Sequence, residues 1–154
     1  MEISEILTPE GVLANLKSGS KKQLLQDLAE AASKRCSWEP QQIFDALLER
    51  EKLGSTGVGN GVAIPHAKLA GMEGIQGIFA RLNKPVDYDA NDDQPVDIVF
   101  MLLAPEGSGA DHLKALSKIA RLLRDQSTLA SIRKTEDQDA IFSLLTQLQN
   151  ANAA

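Results

Sequence analysis

The chain holds a single cysteine, Cys36, among 154 residues, so it can form no internal disulfide and carries no cysteine-based metal cluster. Aromatic side chains account for only 4% of the residues, which leaves aliphatic groups to build the core. No apolar run approaches the roughly 18 residues that a membrane-spanning helix requires. The first residues, Met1-Glu2-Ile3-Ser4-Glu5-Ile6, lack the basic start and apolar stretch of a secretion signal, so the expected location is the cytoplasm. Positive charge is in deficit, with 16 basic against 21 acidic residues and a net charge of −5. That balance argues against nucleic acid and against insertion into, or binding to, an anionic membrane. Internal repeats, low-complexity tracts and Pro/Gly/Ser linkers are missing too, and histidine occurs only at positions 66 and 112.

What is present is the composition of an ordinary globular protein, 43% hydrophobic and 24% charged, in a length suited to one domain over residues 1–150. Residues 151–154 are expected to fray. Val12 and Leu13 suggest a small strand, and Ser18-Gly19-Ser20 a turn with a helix cap. Leu24, Leu25, Leu28, Ala31 and Ala32 recur at helical spacing from Lys21 to about Lys34. A second helix begins near Pro40, buries Ile43, Phe44, Leu47 and Leu48, and ends near Glu51. Leu53 to Gly61 contains four glycines and reads as a loop running into Val62-Ala63-Ile64-Pro65-His66. Ile75 to Leu82 and Val96 to Leu103 read as strands, the second apolar enough to be covered on both faces. Pro85 to Tyr88 suggests a further short strand before the acidic turn Asp89 to Asp93. Beyond the turn Pro105 to Gly109, a helix from about Asp111 presents Leu113, Leu116, Ile119, Ala120 and Leu123. Helices over Gln126 to Arg133 and Glu136 to Gln149 follow. The class is α/β: a three-layer sandwich with helices on both faces of a sheet, in a single domain.

The chemistry concentrates around His66. Pro65 fixes its own φ and biases Ile64 towards an extended backbone, which would hold the imidazole at a defined angle at a strand end. Glycines 54, 57, 59 and 61 let the preceding backbone turn N–H groups towards an anion, and Ser55 and Thr56 add hydroxyls. Arg50 supplies a guanidinium suited to phosphate oxygens. An imidazole that is unprotonated near neutrality is a nucleophile. His112, at a helix start where N–H groups favour an anion, would support it. Together these residues suit acceptance and release of a phosphoryl group, with no cofactor and no metal, since His66 and His112 have no third ligand.

Each feature alone also has an ordinary structural role. A histidine after proline packs more often than it reacts. A glycine run is usually a turn, and this one lacks the Gly-Lys-Ser/Thr ending of a P-loop. Arg50 would complement a helix C-terminus, His112 would be a first-turn polar residue, and Cys36 a small packed side chain.

Glu51, then Val58-Gly59, then Val62-Ala63-Ile64-Pro65-His66-Ala67 resembles, without departure, the signature of the mannitol/fructose-type IIA components of the bacterial phosphoenolpyruvate-dependent phosphotransferase system. Arg50 to Gly57 and the segment from His112 to Leu123 are also similar to that family, and the nitrogen-related IIA branch is the nearest in kind. The resemblance implies a mixed β-sheet flanked by helices. It implies that His66 takes a phosphoryl group on Nε2 from a phosphorylated HPr-like carrier, in this branch NPr, with Arg50 and His112 in support. It further implies regulatory partners, such as potassium-transport proteins or sensor kinases, that read the phosphorylation state. In the sugar branches the group passes instead to a IIB cysteine.

Overall fold

A computed structural model describes residues 2–153, of which 148–153 are described by backbone alone. In chain order come helix α1 (Ile3–Ile6), a 3-10 turn (Pro9–Gly11), strand β1 (Val12–Leu16), and helices α2 (Lys21–Ser33) and α3 (Pro40–Lys52). Strands β2 (Gly57–Gly59), β3 (Val62–Ala63), β4 (His66–Leu69), β5 (Gln76–Val86) and β6 (Val96–Pro105) follow. Helices α4 (Gly109–Leu122), α5 (Gln126–Arg133) and α6 (Gln138–Ala153) complete the order.

The organising element is β6, whose apolar run is buried on both faces. Ile98, Phe100 and Leu102 enter one core, with Ile119 and Leu122 of α4, Leu129 and Ile132 of α5, and Ile141 and Leu145 of α6. Val99, Met101 and Leu103 enter the other, with Leu24, Leu25 and Leu28 of α2 and Ile43, Phe44 and Leu47 of α3. The period-2 alternation of a strand divides one hydrophobic segment between two helical layers. Each leucine or isoleucine so buried contributes roughly 1.5–3 kcal/mol. The result is a three-layer α/β sandwich. Its six-stranded sheet has the order β1-β5-β6-β3-β2, with β4 also paired to β6. It is mixed: β1 runs parallel to β5, β5 antiparallel to β6, and both β3 and β4 parallel to β6.

Local chemistry sets the helix starts. The Ser20 hydroxyl caps α2 by accepting from the Gln23 N–H at 3.1 Å. Pro40 occupies the first turn of α3, and Glu39 and Gln42 form a reciprocal capping box there.

Several expectations are corrected by this arrangement. Ile3–Ile6 forms a helix, its Ile3 and Ile6 buried, where the sequence suggested no regular structure. Gly57–Gly59, expected in a loop, pairs antiparallel with β3 because glycines accommodate an irregular register there. Of the separate strand expected at Pro85 to Tyr88, Pro85 and Val86 instead end β5, whose pairing with β6 is irregular between Arg81 and Val86, and Asp87 and Tyr88 lie beyond it. Pro85, which has no N–H to give, sits in that interruption. In α4 the buried stripe is His112, Ala115, Ile119 and Leu122, and Leu113 is 67% exposed. Of the residues expected on that face, Ile119 and Leu123 are buried and Leu116 and Ala120 pack partly buried against the core, and His112 takes the inward place expected of Leu113. In α2, Ala29 takes the buried place expected of Ala31. The expected fraying of 151–154 falls largely outside the described side chains, and Ala154 outside the described residues. Among the described residues no helix is long and apolar enough to cross a membrane.

Candidate phosphoryl-acceptor site

The interruption that positions His66 arises at Pro65. Strands β3 and β4 lie end to end along the same side of β6, Val62 and Ala63 opposite Ile98 and Val99, then His66 to Leu69 opposite Leu102 to Pro105. Between them the Pro65 carbonyl accepts from the Leu102 N–H at 2.9 Å, while the Ile64 N–H turns away to the Thr56 carbonyl at 3.0 Å. Proline needs no donor partner, so the strand breaks without leaving an orphaned N–H. His66 therefore stands at a strand end, as the first residue of β4.

The imidazole is fixed at both nitrogens. Its Nδ1 lies 2.8 Å from the Ile64 carbonyl, which can only accept, so Nδ1 carries the proton. Nε2 then holds the lone pair and accepts from Arg50 Nε–H at 3.2 Å. Arg50 is itself steadied by donating from Nη1 to the Gly54 carbonyl at 2.9 Å. Gly54 has a φ of 145°, which places it among the conformations favoured by glycine. Burial lowers the His66 pKa below its ordinary value of 6.5; the Ile64 hydrogen bond opposes this, and Arg50 adds to it.

His112 is brought beside His66, with ring centroids 5.4 Å apart and planes at 75°. It is 3% exposed, and its Nδ1 has no hydrogen-bond partner. Burial first, then the neighbouring His66 and Lys68, push its pKa down to about 4, so both rings are neutral at pH 7. The rings face a depression of about 730 Å³, whose wall also includes Arg50, Leu53, Lys68 and Leu113. Leu53 and Leu113 are 84% and 67% exposed, an apolar rim around a nucleophilic nitrogen.

Ser55 and Thr56 are placed differently from the sequence expectation. The Ser55 hydroxyl donates to the Tyr88 carbonyl at 3.2 Å and accepts from the Gly57 N–H at 3.1 Å. Thr56, 4% exposed, donates its hydroxyl to the Glu51 carboxylate and meets the Tyr88 hydroxyl at 3.0 Å. Neither residue lines the depression. Their hydroxyls hold the loop rather than face the imidazole. The signature names Glu51 without giving it a role, although Ile43, Leu47 and Glu51 share one helical stripe. A carboxylate in an apolar stripe was the available signal. Among the described residues no group of three or more His, Cys, Asp or Glu side chains could hold a metal ion.

Residues 5–148 match the family described as "Phosphoenolpyruvate-dependent sugar phosphotransferase system, EIIA 2". A nitrogen regulatory protein of Bradyrhizobium diazoefficiens is 54% identical over 154 residues, covering 100% of both chains. One of the same description from Pseudomonas aeruginosa is 38% identical over 151 residues, covering 97% of this chain and 98% of that one. Among solved structures, nitrogen regulatory protein IIA-Ntr of Neisseria meningitidis superimposes with a TM-score of 0.89 at 38% identity, covering 94% of this chain and 99% of that one. With similarity running through the whole fold and across the segment that carries His66, the chain belongs to the EIIA 2 family of the phosphoenolpyruvate-dependent sugar phosphotransferase system, in its nitrogen-regulatory branch.

Proposed function

We propose that His66 is a transient phosphoryl carrier, loaded on Nε2 by a phosphorylated HPr-like protein (NPr), and that its phosphorylation state controls partner proteins. The carrying observation is the ring geometry: Nδ1–H is committed to the Ile64 carbonyl, so the Nε2 lone pair faces the depression. The lone pair attacks phosphorus while the carrier's P–N bond breaks and its electron pair returns to the carrier imidazole. That imidazole, protonated on its other nitrogen beforehand, leaves neutral. His66 becomes an N-phosphorylated imidazolium that keeps its Nδ1 proton on Ile64. This is the form from which the phosphoryl group is readily passed on.

Arg50 occupies Nε2 at 3.2 Å and must move off the nitrogen as phosphorus approaches. The guanidinium then meets phosphoryl oxygens a short distance further out, a change from neutral to charge-assisted pairing. Neutral, buried His112 can donate a hydrogen bond to the same group without adding a competing positive charge. Ser55 and Thr56 support the site by shaping the loop. The chemistry is positioning and charge stabilisation, with no metal invoked.

Phosphorylation adds roughly −1.5 to −2 charges. Placed between the exposed Leu53 and Leu113, that charge changes which partners can dock, such as potassium-transport proteins or sensor kinases. Incubation with phosphoenolpyruvate, enzyme I and NPr should yield acid-labile phosphate on His66 and none in His66→Ala. Label retained in His66→Ala would refute the assignment. Rapid onward transfer to a fructose or mannitol IIB cysteine would make the phosphoryl group cargo rather than signal.

A further inference from the structure

The site's hydrogen bonds do not stop at Ile64. The Ile64 carbonyl that accepts from His66 Nδ1 belongs to a residue whose own N–H donates to the Thr56 carbonyl at 3.0 Å. The Thr56 N–H in turn donates to Glu51 Oε1 at 3.1 Å, and the Thr56 hydroxyl donates to Glu51 Oε2. Glu51 is the residue after Arg50 on α3. The two groups that hold His66, a guanidinium at Nε2 and a carbonyl at Nδ1, are thus tied to neighbouring residues of one helix end.

The charge balance around Glu51 fits an anchor. Its side chain is only 3% exposed, and Lys21 of α2 pairs with Oε1 at 3.0 Å. The same ammonium lies 4.4 Å from the centre of the Tyr88 ring. Burial first, and then the charge of Glu51, raise the Tyr88 pKa, so its hydroxyl keeps its proton and can donate to Thr56. Every donor in this cluster, Tyr88 to Thr56, Thr56 to Glu51 and Lys21 to Glu51, points towards the carboxylate. A buried carboxylate that accepts this many bonds is held in one position. The loop Gly54 to Gly61 has glycines with positive φ at 54, 59 and 61 and would otherwise move freely.

We propose that Glu51 is the positioning residue of this site: through Thr56 and Ile64 it fixes the ring orientation and the Nδ1–H tautomer of His66, and so selects Nε2 as the nucleophile. The kinetic part of this proposal rests on His66 being the phosphoryl acceptor, whereas the tautomer part does not. Ile64 reinforces the arrangement because its carbonyl belongs to the tertiary Ile64–Pro65 amide, which carries no N–H of its own to compete for partners. What Thr56 needs from Glu51 is an acceptor oxygen at one place, which glutamine also supplies.

The test is nitrogen NMR of the histidine rings in wild type, Glu51→Gln and Glu51→Ala, alongside rates of phosphoryl acceptance from phospho-NPr. Wild type should show a protonated Nδ1 and an unprotonated Nε2 at His66. Glu51→Gln should keep that tautomer and accept the phosphoryl group within about threefold of the wild-type rate, since its side-chain oxygen still takes the Thr56 N–H. Folded Glu51→Ala should show mixed tautomers and accept about 10- to 100-fold more slowly, as for lost outer partners of a reacting group. A folded Glu51→Ala with an unchanged tautomer overturns the proposal. Should Glu51→Ala fail to fold, Glu51→Met, close in size and without an acceptor oxygen, is judged by the same criterion: an unchanged tautomer in that variant overturns the proposal. If wild type takes no phosphate on His66, the carrier reading falls, and the NMR arm still judges Glu51.

Discussion

Lowering the pH should destabilise the protein through His112, and the amount follows from its surroundings. Its pKa in the folded chain is about 4, set first by burial and then by His66 and Lys68, against 6.5 for the free group. The unfolded chain therefore binds a proton between these values that the folded chain refuses. The stability that depends on a neutral His112 is complete above pH 6.5 and is lost as pH falls towards 4. At 1.36 kcal/mol per unit, the full difference amounts to about 3 kcal/mol, a large share of the stability of a domain this size. The assay is urea unfolding of wild type and His112→Gln at intervals from pH 7.5 to 4.5. Glutamine is close in size, polar and without charge in this range. Wild type should lose about 2–3 kcal/mol more than the variant across the window, with His66 accounting for part of any slope that the variant retains. Identical pH slopes in the two proteins would refute the account of a neutral, buried imidazole. The same neutrality carries a functional corollary. Burial lowers the His66 pKa from its ordinary value, so phosphoryl acceptance should begin to fall on acidification at a lower pH than an ordinary histidine would impose.

Two further perturbations test the frame around the ring. Arg50→Lys keeps the charge but loses the fork that reaches His66 Nε2 and the Gly54 carbonyl together; phosphoryl acceptance should fall about tenfold or more, and an unchanged rate would mean that charge alone matters. Gly57→Ala would place a methyl group 2.7 Å from Ala90 Cβ and 2.8 Å from Ala90 Cα, so the backbone must shift. A loss of about 1–3 kcal/mol in guanidinium unfolding is expected, and unaltered stability would show that the β2 turn yields more easily than its packing implies.

The layered fold was legible because its signals are local and repeated. Val96 to Leu103 could be read as a strand buried on both faces, and α2, α3 and α5 carry their own periodicity and caps. The misplacements arose where a residue type was at odds with its environment. His112 and Glu51 stand in buried stripes of helices, and a pattern that treats polar residues as surface leaves both off those stripes. Strand order was equally hidden, since no local pattern shows that β3 and β4 lie end to end along one side of β6.

Those same discordant residues mark where the fold is bound to chemistry. His66 could be found from its proline and its signature, because the rigid Ile64–Pro65 step acts over one or two residues. Arg50 and His112 were named beside it through the family resemblance, and both lie against the ring. The linkage from Glu51 through Thr56 and its contact with Tyr88 was not, because its separations are spatial rather than sequential. The hydroxyls of Ser55 and Thr56 illustrate the limit most directly. Composition put them in the loop before a reactive histidine and suggested that they face a phosphate. Burial of Thr56 against Glu51 turns one inward, and the Tyr88 carbonyl takes the other. A loop hydroxyl binds whatever acceptor lies nearest, and here a carboxylate buried by α3 and held by Lys21 is nearer than any anion arriving from solvent. The loop thus gives its polar side chains to holding its own shape, and the groups that reach the rim beside the imidazole are Arg50 and His112.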